Sequence, residues 1–469
     1  MIPTLRTYQQ DLVTDVRTSL ELCFKAPMVV LQTGGGKTVV FSRITLDETA
    51  QGARVWILAH RQELLAQASR TLTAFGISHG VLRGGTKPDV RQQVLVTSTQ
   101  TLVRRLEDLP PPDLMILDEC HHGTSPTVRK IFDHFPEAAK LGFTATPCRL
   151  NGAGLGTVFD RMLLGPTNAY LTENGFLPHL KYFAPPVKAE IGKLKMQAGD
   201  YAPRQTEEEM DKPTITGDAI AHYRKICDGV SMIVFCTSVA HAHHVAEQYC
   251  LAGYRAAAVD GKLDDAERDD RIAGLGTGKY QILTSCDLIG EGLDVPAVAA
   301  VQLLRPTASL SLHLQQIGRI RVSAEREFGF VLDHVGNVGS MVNGRWVVKH
   351  GFASTEHKWT LDPGRKVQQG KAPPTRTCEE CFSVHLSKPK CPYCGYVYPA
   401  RVKTFLSMKM VEGHLVEVQQ TAEEQRLEEK NATTFGELLA IARARKYKSP
   451  YYWASKKFRS RPVNIDDLP

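Results

Sequence analysis

The sequence predicts an α/β protein with two tandem parallel-sheet domains, a small cysteine-bearing module and a basic helical tail. Three observations carry that reading. Short apolar runs alternate with longer amphipathic stretches up to about residue 335, the rhythm of parallel strands joined by crossover helices. The series occurs twice, on either side of a break at about 165–215. Beyond it the rhythm stops, and four cysteines cluster within 378–394.

The first series is MVVLQ at 28–32, RVWILAH at 54–60, QVLVTS at 93–98 and DLMILDE at 113–119. The second is SMIVFCTS, RAAAVDG, YQILTSC, AAVQLL and GFVLD. Runs of this length read as buried strands. The break holds APPVKAE, the acidic Glu207, Glu208 and Glu209, and Pro213, which is linker chemistry. The expected boundaries are 1–165 for the first domain, 166–215 for a linker and 216–340 for the second domain. A connector (341–374), a cysteine module (375–400) and a tail (401–469) follow.

Of 469 residues, 42% are hydrophobic and 23% charged, which excludes wholesale disorder. Arg6, Tyr8, Gln9, Gln10 and Asp11 stand where a secretion signal needs an apolar run. No stretch approaches the ~18 uninterrupted apolar residues of a membrane span, so no membrane partner is expected. Seven of the eleven cysteines are scattered (Cys23, Cys120, Cys148, Cys227, Cys236, Cys250, Cys286), mostly beside apolar residues. Such a set fits small core thiols in a reducing cytoplasm.

Two segments carry recognisable chemistry. Leu31 to Thr38 reads LQTGGGKT, between an apolar strand and a helix-like stretch. Glycines let backbone N–H groups converge on phosphate oxygens, Lys37 adds a point charge, and the Thr38 hydroxyl suits Mg²⁺. Leu114 to Leu117 form a buried strand ending in Asp118 and Glu119. The first carboxylate suits a hydrated Mg²⁺, the second the orientation of an attacking water. The adjacent Cys120, His121 and His122 cannot easily converge on one ion, so no metal is expected there.

With Thr144-Ala145-Thr146-Pro147, these segments resemble the motifs of superfamily 2 helicases and translocases of the DExH group. Leu5 to Gln10 is similar to that family's adenine-reading segment, with Arg6 and Gln9 as contacts. Ala59 to Leu64 and Val96 to Gln100 resemble its motifs Ia and Ic. Ile233 to Cys236 resembles motif IV, Thr284 through Gly290–Asp294 motif V, and Gln315 to Arg321 motif VI. Within the superfamily the chain looks most like RadD-like bacterial and phage helicases, which also carry cysteine pairs after the motor.

The resemblance implies ATP and Mg²⁺ held between two RecA-like domains. Thr33, Gly34, Gly35, Gly36, Lys37, Thr38, Asp118, Gly292 and Asp294 would bind the nucleotide. Lys37, Asp118, Glu119, His121, Arg319 and Arg321 would serve catalysis. His60, Arg61, Gly84, Thr97, Gln100, Thr237 and Thr284 would touch the nucleic-acid backbone. One departure stands out: the family's QxxGRxxR here reads Gln315-Gln316-Ile317-Gly318-Arg319-Ile320-Arg321, so the second arginine comes one residue early. Arg319 keeps its spacing from Gln315, and the role of Arg321 is open.

Cys378-x2-Cys381-x9-Cys391-x2-Cys394 offers two knuckles and four thiolates, the pattern of a closed structural Zn²⁺ site. A redox dithiol pair is the alternative. Arg443 to Arg461 holds eight basic residues and no acidic one, with Tyr447, Tyr451, Tyr452, Trp453 and Phe458 interleaved. Cations on phosphates with aromatic faces on bases suit unpaired strands; Arg443, Arg445, Trp453, Lys456 and Lys457 are the candidate contacts. A helix that packs its aromatics and solvates its charges is an equal reading. The acidic stretch Asp260, Asp264, Asp265, Glu267, Asp269 and Asp270 reads as a solvated helix face.

The expected activity is an ATP-dependent DNA helicase or translocase of repair, recombination or replication, acting on single-stranded or branched DNA. A single-stranded-DNA-binding protein is a candidate partner. The expected location is the bacterial cytoplasm, with the gene in the bacterium or a phage. An RNA-directed ATPase and a nucleic-acid-binding scaffold with weakened ATPase remain open. Residues 1–335 carry 35 Lys plus Arg against 37 Asp plus Glu, whereas 336–469 carry 22 against 13. A near-neutral motor is thus joined to a basic C-terminal region, which would supply the long-range attraction to phosphate.

Overall fold

The computed structural model describes residues 3–85, 89, 91–147, 154–184, 196–197, 200–201, 213–286, 298–321, 326, 328–342, 345–355, 357–362, 368–369, 375–378, 380–381, 383–398, 429, 432, 435–445, 447 and 449–459. They fall into two compact units, Met1–Tyr398 and Pro399–Pro469.

Seven parallel strands form the first sheet: β1 (Pro27–Val30), β2 (Val55–Ala59), β3 (Gly80–Leu82), β4 (Val94–Ser98), β5 (Leu114–Asp118), β6 (Ala139–Thr144) and β7 (Arg161–Leu164). Their order is β3-β4-β2-β5-β6-β1-β7. Every residue of β1, β2, β4 and β5 is buried. Both faces are covered, which is why these strands read as unbroken apolar runs. The helices are α1 (Thr7–Glu21), α2 (Lys37–Ala50), α3 (Gln62–Ala74), α4 (Thr99–Leu102), α5 (Pro126–His134) and α6 (Asn168–Glu173). Alternate residues of β1 serve opposite cores: Val29 packs with Leu12, Phe41 and Leu72, Met28 and Val30 with Trp56, Ile131 and Phe159. The strand order sets the ends of β1, β6 and β5 side by side, which brings together the phosphate loop, Thr144 and Asp118.

The second sheet begins earlier than the sequence suggests. Strand β8 (His179–Phe183) lies inside the expected linker, yet pairs parallel with β15 (Phe328–Asp333). Its Tyr182 is buried in the second core, while Lys181 places its ammonium 3.7 Å from the Phe328 ring centre. The charged and polar alternation of HLKYF hid a strand with one apolar face. A small ladder, β9 (Met196–Gln197) with β10 (Asp200–Tyr201), follows. The central strands are β11 (Met232–Phe235), β12 (Ala256–Val259), β13 (Ile282–Ser285) and β14 (Ala300–Leu303), with helices α7 (Pro213–Cys227), α8 (Val239–Leu251), α9 (Asp265–Thr277) and α10 (Leu310–Ile317). The acidic stretch falls largely on α9, where Arg268–Asp265 and Arg271–Glu267 pair along its surface.

The connector forms two hairpins, β16 (Gly339–Val342) with β17 (Arg345–Val348) and β18 (His357–Lys358) with β19 (Gln368–Gln369). It ties both motor halves. Ala353 N donates to the Tyr182 hydroxyl at 2.9 Å, and Gly156 N donates to Leu361 O at 2.9 Å. Trp359 and Leu361 pack on the first domain's core. The cysteine module then re-enters the second sheet through β20 (Thr375–Thr377) and β21 (Ser383–Leu386), the latter antiparallel to β8. The full order is β12-β13-β11-β14-β15-β8-β21-β20. In the C-terminal unit, α11 (Phe435–Ala444) packs on α12 (Pro450–Arg459) through Leu438, Ile441 and Ala454.

His313 of α10 and His350 of the connector are buried and stack with ring centres 5.1 Å apart. Burial holds both below the ordinary imidazole range, His350 at about 4 despite its contact with Thr307 O. The unfolded chain takes up protons first as pH falls below about 6.5, so folding stability drops through that window. His350 alone should cost about 2 kcal/mol by pH 5, with His313 acting in the same direction. Urea unfolding at pH 7 and pH 5 should show the lower midpoint at pH 5; an unchanged or higher midpoint would contradict this account.

Candidate active site and nucleic-acid interface

The phosphate loop runs from the end of β1 into the first turn of α2. Leu31 N donates to Thr144 O at 2.9 Å, fixing the loop to β6. Gly34 and Gly36 both have φ of 87°, a region that L side chains rarely adopt. Gly36 is the N-cap of α2, so the first-turn N–H groups of that helix open toward the loop. Beside it, Lys37 Nζ lies 2.7 Å from Glu119 Oε1, both side chains nearly buried. Burial lowers the Lys37 pKa, but Glu119 and Asp118 outweigh it and hold the ammonium above its ordinary range. Burial likewise opposes the charge on Glu119, yet Lys37 and His121 keep it well below the usual carboxylate range. Asp118 is pushed up to about 6, chiefly by burial, against the pull of Lys37.

Glu119 takes a left-handed backbone conformation, φ 49°, uncommon for a residue with a side chain and typical of functional positions. The turn aims its carboxylate at Lys37 and, at 3.4 Å, at His121 Nδ1. His121 Nδ1 also lies 3.2 Å from Thr144 Oγ1, which donates to Thr146 O. Thr146 Oγ1 bonds Ser311 Oγ of α10. A polar chain therefore runs from the carboxylate of one domain into the other.

The segment expected to read the base grips the same loop. Tyr8 Oη and Gln9 Nε2 both donate to Gly35 O, at 2.8 and 3.1 Å, and Gln9 Oε1 accepts from Arg6 N. A Cβ at Gly36 would collide with the Gln9 amide. The Arg6 guanidinium lies 4.3 Å from the Phe176 ring centre, and Tyr8 packs 5.4 Å from the same ring. Sequence reading missed Phe176, which no short-range signal ties to Arg6, and passed over Tyr8 inside the motif.

The structure brings the Arg321 side chain to the phosphate loop. Helix α10 ends at Gly318, where a Cβ would lie 2.7 Å from Thr33 Cβ. Ile320 then bridges Val298, and Arg321 N donates to Val298 O at 2.7 Å, so the chain straightens instead of completing another turn. That straightening carries the Arg321 guanidinium over Gly34, where any Cβ would strike it. Its Nη1 donates to Gly318 O at 2.7 Å and Ile320 O at 2.6 Å. Beside it, a cavity of about 290 Å³ opens between the halves, lined by Thr33, Leu177, Tyr182, Leu314 and Arg321.

The expected nucleic-acid contacts divide. Arg61 is half-buried, and Gly84 and Gln100 are exposed. Thr97, Thr237 and Thr284 need correction as side-chain contacts: all three are buried, with hydroxyls on Leu82 O, His241 Nδ1 and Ala242 O. Only their backbone is left for such a role. The His60 ring lies 4.5 Å from that of His122, which sits 4.2 Å from His121, each pair tilted, so His60 packs behind the carboxylates. Gly292 and Asp294 lie outside the described residues.

In the C-terminal unit, Glu429 accepts from Arg445 at 2.6 Å and Lys457 at 2.8 Å, and Trp453 packs on the helix-pair core. Arg445, Lys457 and Trp453, expected as nucleic-acid contacts, are thus engaged within the unit. Arg443 and Lys456 are exposed, as are Tyr451 and Tyr452, which the candidate set omitted.

The four cysteines converge. Their sulfurs all lie within 4.8 Å of one another, with Cys378–Cys394 at 3.5 Å and Cys381–Cys391 at 3.7 Å. A tetrahedral Zn²⁺ with bonds of about 2.3 Å places sulfurs about 3.8 Å apart, so the donors fit. Gly395, at φ 80°, turns the second knuckle.

A phosphate loop, a carboxylate pair at a neighbouring strand end and an arginine from a second parallel-sheet domain define a two-domain, RecA-like nucleoside triphosphatase. The family model "Type III restriction enzyme, res subunit" matches residues 2–149, and "Helicase conserved C-terminal domain" matches 218–322. The chain belongs to the superfamily 2 helicases, enzymes that hydrolyse ATP on nucleic acid. A "51.5 kDa protein" of Lactococcus phage (isolate 7-9) is 33% identical over 380 residues, covering 80% of this chain and 79% of that protein. "Putative ATP-dependent helicase IRC3" of Saccharomyces cerevisiae is 29% identical over 356 residues, covering 71% of this chain and 52% of that protein. The type ISP restriction-modification enzyme LlaBIII, solved bound to DNA, has a TM-score of 0.53 at 14% identity over 71% of this chain and 28% of its own, a likeness of fold.

Arg319→Ala and Arg321→Ala should each lower nucleic-acid-stimulated ATP turnover by about 10³-fold or more, the usual scale for arginines at a transferring phosphate. Steady-state phosphate release with saturating oligonucleotide checks this. Near-normal turnover of Arg321→Ala would remove that residue from the site.

Proposed function

We propose that this enzyme is a DNA helicase or translocase whose ATP cycle opens and closes the cleft between the two sheets. The observation that carries the reading is the seating of Gly318 and Arg321, from the second domain, on Thr33 and Gly34 of the first domain's phosphate loop. A group that must cross a domain boundary to reach the phosphates makes hydrolysis depend on domain closure.

The residues divide the work. Backbone N–H groups of Thr33 to Lys37 receive the phosphates, and Arg6 and Gln9 read the base. Lys37, held by Glu119 at 2.7 Å beside the loop, turns toward the phosphates when they are bound. That transfer leaves Glu119, still braced by His121, to orient the attacking water. Thr38 and Asp118 are the pair that would hold Mg²⁺, which neutralises charge on the phosphates. Arg319 and Arg321 meet the charge that develops as the phosphoryl group leaves. The chain from His121 through Thr146 to Ser311 links the state of the carboxylates to α10, and so to the second domain.

DNA is favoured because the first-half family model is that of a restriction-enzyme subunit, and LlaBIII was solved on DNA. Repair, recombination or replication is the setting that such a motor suits. The four cysteines would hold a structural Zn²⁺ that braces the β20–β21 edge of the second sheet.

ATP turnover measured with single-stranded DNA, duplex DNA and RNA tests the substrate. Stimulation by DNA at least tenfold above RNA is expected; the reverse order makes the chain an RNA-directed ATPase, and no stimulation makes it a scaffold. Metal analysis of the full chain should find one zinc per molecule, lost in Cys391→Ser with Cys394→Ser. A zinc-free chain with an oxidisable dithiol pair would replace the metal reading.

A further inference from the structure

The C-terminal helix pair buries a small core and leaves a large aromatic surface outside it. At 3.6 residues per turn, Trp453, Ala454 and Lys457 share the side of α12 that faces the core and Glu429. Tyr451, Ser455 and Phe458 stack along the opposite side, with Tyr452 and Lys456 beside them. Tyr451 is 69% exposed, Tyr452 71% and Phe458 44%. Lys456 and, on α11, Arg443 are also exposed.

A unit this small has little core to spare, so three large aromatics kept in solvent call for a partner. The face is also ordered in advance. Phe435 packs edge-on against Tyr451, ring centres 5.2 Å apart, and against Phe458 at 6.0 Å, so the exposed rings rest on a neighbour. No acidic residue occurs from Leu438 to Arg459, and the Glu429 carboxylate is taken up by Arg445 and Lys457. Flat rings beside cations, on a helix that carries no carboxylate of its own, match an unpaired polynucleotide. Each base offers a π-face whatever its identity, and the cations meet the backbone. A duplex hides its base faces and would gain only from the charge.

We propose that the Tyr451–Tyr452–Phe458 face of α12 stacks on unpaired bases and forms a second grip on single-stranded nucleic acid, separate from the motor motifs. It rests on the reading of the chain as a motor that works on DNA. The aromatics that carry it are not the one sequence favoured, because Trp453 is spent on the fold.

The test uses the full chain and fluorescence anisotropy with a labelled oligo-dT strand and a labelled blunt duplex, without nucleotide. Replacing Tyr451 and Tyr452 together by Leu should weaken single-strand binding about tenfold or more and leave duplex binding within about twofold. Tyr451→Phe with Tyr452→Phe should bind like the original, because stacking needs the ring and not the hydroxyl. Unchanged single-strand affinity in the Leu pair would overturn the proposal and leave the face to a protein partner. Equal loss on strand and duplex would also overturn it, as would equal loss in the Phe pair. Loss of near-ultraviolet signal from Trp453 would identify unfolding, and Lys456→Ala in the same assay then supplies the reading. It should weaken the strand and flatten its salt dependence, and no effect would count against the face. Failure of the motor reading shows separately, as absence of DNA-stimulated ATP turnover in the unsubstituted chain.

Discussion

The phosphate loop must present bare backbone to a crowded anion, and the surrounding architecture answers to that constraint. Side chains at Gly34 or Gly36 would be strained by backbone conformation and blocked by neighbours, Arg321 at the first and the Gln9 amide at the second. The same absence of side chains lets three distant segments converge there. Tyr8 and Gln9 approach from α1, Thr144 fixes the strand end from β6, and Gly318 and Arg321 arrive from the second domain. Each is held by contact with a loop that has almost no bulk of its own, so the loop is the meeting point of α1, β6 and the second domain.

Around that point the charges are few and nearly buried. Lys37 and Glu119 satisfy one another, and a buried pair of this kind is costly to break by removing one partner. An anionic phosphate beside Lys37 offers the exchange that does not leave the ammonium unpaired. Glu119 remains tied to His121, and through Thr144 and Thr146 to Ser311. The tilted imidazoles of His60, His122 and His121 pack in a row that backs this chain from the end of β2. These contacts give the site two directions of coupling, one toward the second domain and one toward the loop that follows β2.

The parts beyond the motor are more closely built into it than a string of modules would be. The connector is anchored at Tyr182 and Gly156, one in each half, and the cysteine module adds two strands to the second sheet. The module's strand β21 thereby covers the edge of β8, which would otherwise expose unpaired backbone groups. The C-terminal helix pair is a compact unit in its own right, with a Glu429-centred charge cluster and a small apolar core.

Much of this was legible in the residues alone. Fully buried parallel strands are written as unbroken apolar runs, glycine-rich phosphate loops and strand-end carboxylates are local in sequence, and CxxC pairs carry their spacing with them. The ATP-binding half, the two-sheet plan and the cysteine cluster follow from such local signals. What depends on long-range packing did not. Strand β8 alternates like a surface segment because it has one apolar face, and Phe176 meets Arg6 only once the chain has folded back. The threonines at 97, 237 and 284 sit in motifs suited to nucleic acid, yet their hydroxyls turn inward because buried polar groups must find partners. Arg321 is out of register by one residue, and only a bridge to Val298 brings it over Gly34. Sequence by itself determined the chemistry available and the order in which it occurs; tertiary structure decided which side chains of each motif face the cleft, since that depends on what the rest of the chain packs behind them.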